Sequence, residues 1–254
     1  METQTVAYRE EYRSRFCPPR YRGVAHGVFV AVVGFCMLVA GALLLRPADL
    51  LSYWWMVPAT FLLANLVEYL THRHVMHKRV PVLGAMFERH TRRHHRYFTL
   101  ADIEITGAHD MHAVLFPPVL LGFFSAVALL LSLAVGAVLG RAPGVLFFLV
   151  ALSYYLAYEV LHLLAHWPLH GRMARSRVIR RLVSHHRAHH APHVMQRGNF
   201  NIVVPLCDWL FRTLHDESDV LAQTVKSSRV ERAYEDARAT TREGEHGKRG
   251  SIQT

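Results

Sequence analysis

"VAHGVFVAVVGFCMLVAGALLL", residues 24–45, holds 22 consecutive residues without a charged side chain. The hydrocarbon core of a bilayer is roughly 30 Å thick and takes about 20 apolar residues to cross as a helix. The stretch therefore reads as a membrane span. It is too long for the core of a signal peptide, and no small-residue cleavage site closes it. The 254-residue chain is 52% apolar and only 19% charged, more hydrophobic than an ordinary soluble domain of that size.

Working outward, three more apolar runs occupy 53–70, 114–139 and 145–164. The first of these opens on Tyr53, Trp54 and Trp55, residues that favour the membrane interface. Pro143 and Gly144 are expected in a tight link between the last two. The expected fold is all-α and integral to the membrane: four transmembrane helices in two hairpins, with a cytoplasmic helical cap. Of the 29 Lys and Arg residues, 27 fall before residue 24, within 71–113 or after 165, leaving only Arg46 and Arg141 in the other links. By the positive-inside rule both termini lie in the cytoplasm. Topology and anionic lipid account for the net charge of +10 better than nucleic-acid binding does. Cys17, Cys36 and Cys207 are scattered, with no C-x-x-C pair, so neither a disulfide framework nor a thiolate zinc site is suggested.

Of the 19 histidines, 14 collect at the cytoplasmic ends of the second and fourth runs, six in 72–95 and eight in 162–193. Their spacings place them on shared helix faces. His162 and His166 are four apart; His186, His189 and His190 stand at i, i+3 and i+4; His90, His94 and His95 are arranged nearly alike. His72 and His77 are five apart, which an ideal α-helix aligns poorly, so the helix is expected to unwind or end near Met76. One interfacial histidine is an ordinary anchor; four clusters on one side of a membrane are a metal site. His74, His170, His185 and His193 share no such spacing, and His109 and His112 are ambiguous. His26, His215 and His246 read as bland. Glu68 precedes His72 by four and Glu159 precedes His162 by three. Carboxylates inside a span mark function, and each is expected to accept the second N–H of a metal-bound imidazole.

Ten candidate imidazoles exceed the needs of one ion, so two metals are expected. Two irons suit oxidation of an unactivated C–H bond. Zinc has no redox chemistry but would displace Fe(II) during purification. No H-E-x-x-H occurs, which argues against a zincin-type protease.

The four boxes "HRHVMH" (72–77), "HTRRHH" (90–95), "HLLAH" (162–166) and "HRAHH" (186–190) resemble those of the fatty acid hydroxylase and sterol desaturase superfamily of membrane di-iron oxygenases. "HAVLFPP" (112–118) and "CDWLFRT" (207–213) resemble further segments of that superfamily, the latter with Arg212 where Gly is usual. Many relatives would place a histidine at Thr91 rather than His90. The resemblance runs over about 60–214. It implies metal ligands at His72, His77, His90, His94, His95, His162, His166, His186, His189 and His190, with Glu68 and Glu159 as further site residues. It also implies two iron ions, a long-chain lipid substrate, O2, and electrons from a separate donor, cytochrome b5-like or a ferredoxin with its reductase. The membrane would be a bacterial inner membrane, or the endoplasmic reticulum in a eukaryote. Within the class the alternative is a sterol, carotenoid or other isoprenoid hydroxylase or desaturase. Outside it, a metal transporter should carry its ligands near mid-membrane, whereas these lie at one end. The expected organisation is a cytoplasmic segment over 1–23, a membrane domain over 24–217 and a polar, flexible tail over 218–254.

Overall fold

The structure, a computed structural model, describes residues 2–227 and 229. It is all-α, with no strand among the described residues. In chain order the α-helices are α1 (Glu2–Arg15), α2 (Gly23–Ala42), α3 (Pro47–Ser52), α4 (Met56–Thr71), α5 (Gly84–Phe87), α6 (His95–Tyr97), α7 (Met111–Val114), α8 (Pro118–Leu139), α9 (Arg141–Ala165), α10 (Gly171–Arg175), α11 (Arg177–His189) and α12 (Leu206–Leu210). Two π-helical stretches interrupt the α pattern, His72–Met76 after α4 and Glu88–His94 between α5 and α6.

Among the described residues three helices are long and apolar enough to cross a membrane: α2, α9, and the stretch Ala108–Leu139 that contains α8. The apolar run at 53–70 yields α4, only 16 residues of α-helix. Its aromatic opening is spent on a turn, and Pro58 is accommodated in the first helical turn. The third apolar run starts its uninterrupted helix at Pro118 rather than Val114. Each residue before a proline is pushed towards extended backbone, and Phe116-Pro117-Pro118 does this twice, separating α7 from α8.

The α8–α9 hairpin also turns earlier than expected. Gly140, at φ 98°, makes the turn, and Pro143 and Gly144 lie inside the first turns of α9. Proline is tolerated there because the first N–H groups of a helix have no partner within it. Gly144 is needed for contact: a Cβ would stand 2.6 Å from the Ser132 carbonyl oxygen and 2.9 Å from the Gly136 Cα. The Ser132 hydroxyl donates to the Gly144 carbonyl at 2.8 Å, locking the hairpin.

Helix α9 is the hub. Helices α2, α4 and α8 all pack on it, while α4 and α8 hardly touch one another. Between those two, floored by α9, lies an apolar cavity of about 230 Å³. Its lining runs from Thr60, Leu131 and Phe147 to His72, Phe116 and Tyr158.

Beyond the apolar helices the chain forms a cap. Helix α1 belongs to it: Tyr8 and Tyr12 pack with Tyr97, Phe98 and Ile103 in one buried cluster. Near the C-terminus 217–227 is helical and buries Val220 against Ala188, Ala191 and Val194. Packed structure thus continues past residue 217, and the remainder of the expected tail, from 230 on, lies outside the described residues.

Candidate metal centre

The cap folds the ten candidate imidazoles into one buried group. His72, His77, His90, His95 and His189 offer nitrogens that all lie within 4.8 Å of one another. His94, His166, His186 and His190 form a second such set. His162 adjoins the second set, its Nε2 3.3 Å from that of His94 and its ring centroid 4.9 Å from that of His186.

The π-helical stretches explain the five-residue spacings. Hydrogen bonding from i to i+5 brings residues five apart onto one face. This aligns His72 with His77, and His90 with His95. The first helix does end near Met76, as its histidines suggested, but by widening rather than unwinding. His90 joins the first set for the same reason. Thr91 stands behind it: its hydroxyl donates to the Met76 carbonyl at 2.6 Å, and its oxygen lies 3.1 Å from His77 Nδ1. With its own hydrogen committed, Thr91 can only accept there, so His77 Nδ1 carries the proton.

Carbonyl oxygens fix five more tautomers, since a carbonyl only accepts. His72 Nδ1 donates to Phe200, His189 to Gly198 (2.9 Å), His94 to Ala113 (2.9 Å), His166 to Ile103 (2.7 Å) and His190 to Phe98 (2.7 Å). Burial keeps the rings outside the spans neutral, holding His94 down at about 3 and His77 at about 2, against an ordinary 6.5. A neutral ring protonated at Nδ1 presents a bare lone pair at Nε2. Those lone pairs point at one another: His77 and His189 stand 3.0 Å apart, and His94 and His190 3.2 Å. Facing lone pairs at such distances repel unless a cation lies among them. The donor set thus fits a metal ion, and its all-imidazole chemistry suits first-row transition metals.

The two carboxylates serve elsewhere. Glu68 accepts from the Tyr154 hydroxyl, the Asn201 amide and the backbone N–H groups of Ile202 and Val203. Glu159 accepts from the Tyr155 hydroxyl at 2.8 Å and from the Phe116 N–H at 3.3 Å. Neither hydrogen-bonds to an imidazole among the described residues. Each lies about one helical turn before the ring it was expected to serve, and at His72 the Phe200 carbonyl takes the role expected of Glu68.

The fatty acid hydroxylase family model matches residues 57–213, more than half of the chain. The chain belongs to the fatty acid hydroxylase family. A solved structure described as full-length Scs7p, with only its hydroxylase domain visible, is similar at 21% identity and a TM-score of 0.53 over 74% of this chain. The chain covers 66% of that structure's length, a little under two thirds, and the likeness concerns the fold. No curated protein matches the chain.

This fatty acid hydroxylase family member carries supporting residues that the histidine pattern did not point to. Asp208 accepts from the N–H groups of Phe200 (3.0 Å) and Asn201 (2.7 Å) and from the Thr213 hydroxyl (2.7 Å), holding the loop whose carbonyls face His72 and His189. Asp110 does the same for the loop facing His94, His166 and His190, accepting from Arg13, Tyr97 and Thr106. Burial opposes ionisation of both carboxyls, yet the Tyr97, Thr106 and Arg13 donors hold Asp110 below its ordinary range, and the His185 ring with the Asn201 and Phe200 N–H groups does the same for Asp208. The family-like "CDWLFRT" pointed to Asp208; nothing in the sequence singled out Asp110. The other histidines stay outside both sets. His112 Nδ1 meets the Tyr12 hydroxyl and His26 Nδ1 the Tyr21 hydroxyl. His185 Nε2 donates to the Asn201 carbonyl, while His74, His109 and His170 are exposed. His193 and His215 join neither set, and His246 lies outside the described residues.

Proposed function

We propose that this chain is a membrane-bound non-haem di-iron oxygenase that hydroxylates a long-chain, fatty acyl lipid with O2 and electrons from a separate donor protein. The observation that carries this reading is a buried group of neutral imidazoles, with lone pairs facing one another, beside an apolar cleft whose lining reaches the ring of His72. The ligands would be His72, His77, His90, His95 and His189 for one ion, and His94, His162, His166, His186 and His190 for the other. Iron bound there would supply the one-electron redox chemistry and oxygen activation that side chains lack.

The chain's own part is to seat the substrate. From Thr60 to His72 the cleft follows α4 for twelve residues, roughly 18 Å. That is close to one leaflet, half of a core roughly 30 Å thick. A single acyl chain can enter sideways between α4 and α8, which leave that side unsealed. Near the histidines, Phe116 stacks on Tyr158 with ring centroids 5.4 Å apart and planes within 6°, closing the end against water. The Tyr158 hydroxyl is buried there with no partner among the described residues, free to donate to a polar oxygen of the lipid. Desaturation is the close variant on the same centre.

In this reading α4, continued by its π-helical turn to Met76, is the second of four spans. Both termini are cytoplasmic, and the membrane domain occupies 24–217 between a cytoplasmic segment (1–23) and a tail (218–254). Metal analysis should find two ions per chain, iron in cells and zinc as a contaminant; no metal, or one ion held by three histidines, would end the proposal. Comparing the lipids of cells with and without the gene should identify an oxidised acyl lipid. Cysteines engineered near Asp49 and Ala142 should react with an impermeant reagent from outside; protection of both would contradict the four-span arrangement.

A further inference from the structure

Helix α11 has two faces of opposite character. His186 and His189 are wholly buried on one. On the other, Arg177, Arg180, Arg181 and Ser184 stand at i, i+3, i+4 and i+7 and line one shallow depression, with all three arginines exposed. Helix α10 adds Arg172 and Arg175, also exposed. None of these five guanidiniums forms an ion pair among the described residues. Three arginines elsewhere in the cap do find carboxylates: Arg13 pairs with Asp110, Arg92 with Glu88 and Arg187 with Glu217. Uncompensated like charges in so short a stretch repel one another and favour an acidic partner, whose approach they would also steer.

We infer that this face of α10 and α11 is the docking surface for an acidic one-electron carrier protein that reduces the metal centre. The inference rests on the oxygenase reading. Hydroxylation consumes RH, O2, two electrons and two protons and gives ROH and water, so the carrier must deliver one electron twice per turnover. A carrier seated on the arginines would be separated from the buried histidines by a single helix, roughly 10–12 Å across. Anionic lipid gains nothing from that placement, because it can be met anywhere around the membrane rim. An electron donor gains a short path.

The test uses metal-loaded protein in nanodiscs, driven in parallel by ascorbate with a small dye mediator and by reduced soluble cytochrome b5 or plant-type ferredoxin. The triple variant Arg177→Glu, Arg180→Glu, Arg181→Glu should keep the mediator-driven rate. Its KM for the protein donor should rise roughly tenfold or more, and the salt dependence of donor-driven turnover should flatten. Arg20→Glu with Arg22→Glu, exposed charges elsewhere, should change neither rate. Unchanged donor-driven turnover in the triple variant would overturn the inference. So would equal loss of both rates, or failure of the parent to accept electrons from either protein while the mediator works. A variant that loses only its preference for nanodiscs containing phosphatidylglycerol would mark the patch as a lipid anchor and refute a docking role. Absence of turnover even with the mediator would retire the oxygenase reading itself.

Discussion

The two histidine sets reach similar geometry by different means. The second is built on α-helical spacing, His162 with His166 on and just after α9 and His186 with His190 on and just after α11. The first depends on π-helical turns that align His72 with His77 and His90 with His95. Each set also leans on its own loop. Gly198 and Phe200 supply acceptor carbonyls to the first, while Phe98, Ile103 and Ala113 supply them to the second. One buried aspartate fixes each loop, Asp208 for the first and Asp110 for the second. The buttress of the second loop comes from α1, through Arg13 on Asp110 and Arg9 on the Tyr97 and Asp102 carbonyls. That helix lies before the start of the family match at residue 57. The comparison teaches that equivalent ligand cages can be held by unrelated parts of one chain, so damage to either should be separable.

The largest expected effect tests that separability. His189→Ala should empty the first set and His162→Ala the second, each reducing bound metal from two ions per chain to one. Either should abolish oxidation of lipid while leaving the helical circular dichroism in place. Production of oxidised lipid by His189→Ala at the parent rate would refute the di-iron assignment. Loss of both ions from either variant would show the sets to be one cooperative unit.

A smaller effect is expected at the imidazoles' outer nitrogens. Thr91→Val keeps the size of the side chain but removes the only acceptor seen for His77 Nδ1. Loss of such a partner typically weakens metal binding about 10–100-fold, and here the loss should fall on the first set alone. Glu159→Gln should leave the metal content unchanged, because Glu159 meets Tyr155 and Phe116 rather than a ring. Metal loss from Glu159→Gln to match Thr91→Val would restore the role that its spacing from His162 suggested.

The loop aspartates come next. Asp208→Asn and Asp110→Asn each replace one accepting oxygen by an amide that meets a buried donor, at a cost of about 1.5–3 kcal/mol. Melting of the metal-free protein in detergent should show both losses. Metal release should then be faster from the first set in Asp208→Asn and from the second in Asp110→Asn. Identical release profiles would mean that the loops do not act on separate sets.

The sequence made the second set easier to find than the first. His162, His166, His186 and His190 stand four apart within each pair, and that spacing alone puts them on common faces. His72 and His77 were visible only as a misfit, because no residue in "HRHVMH" announces a π-helical turn; the widening is imposed by tertiary packing around the ligands. The apolar runs at 24–45 and 145–164 were legible from length and composition. The break at Phe116 and the shortness of α4 were not, since hydropathy ignores where prolines and aromatic residues divert the backbone. The partners of the rings were least legible of all. They are mostly carbonyl oxygens, which every residue possesses, so Glu68 attracted an assignment at His72 that the Phe200 carbonyl fills.

The smallest effect separates the two loops by backbone strain. Of the two regions that Asp208 and Asp110 brace, only the one serving the first set holds left-handed positions, Asn199 at φ 58° and Arg212 at φ 56°. That conformation costs an ordinary side chain roughly 1–2 kcal/mol, which explains why glycine is usual at the position of Arg212. Arg212 is exposed there, so Arg212→Gly should relieve strain without breaking packing. Glycine's greater freedom in the unfolded chain returns roughly 0.5–1 kcal/mol of the gain. The expected result is a rise in melting temperature worth about 1 kcal/mol at most, with unchanged metal content. Asn199→Gly should do the opposite. Asparagine tolerates the left-handed region, and its side chain donates to the His185 and His215 carbonyls and accepts from the His215 N–H at 2.7 Å. A stabilising Asn199→Gly, or a destabilising Arg212→Gly, would show that strain does not distinguish the loop of the first set from that of the second.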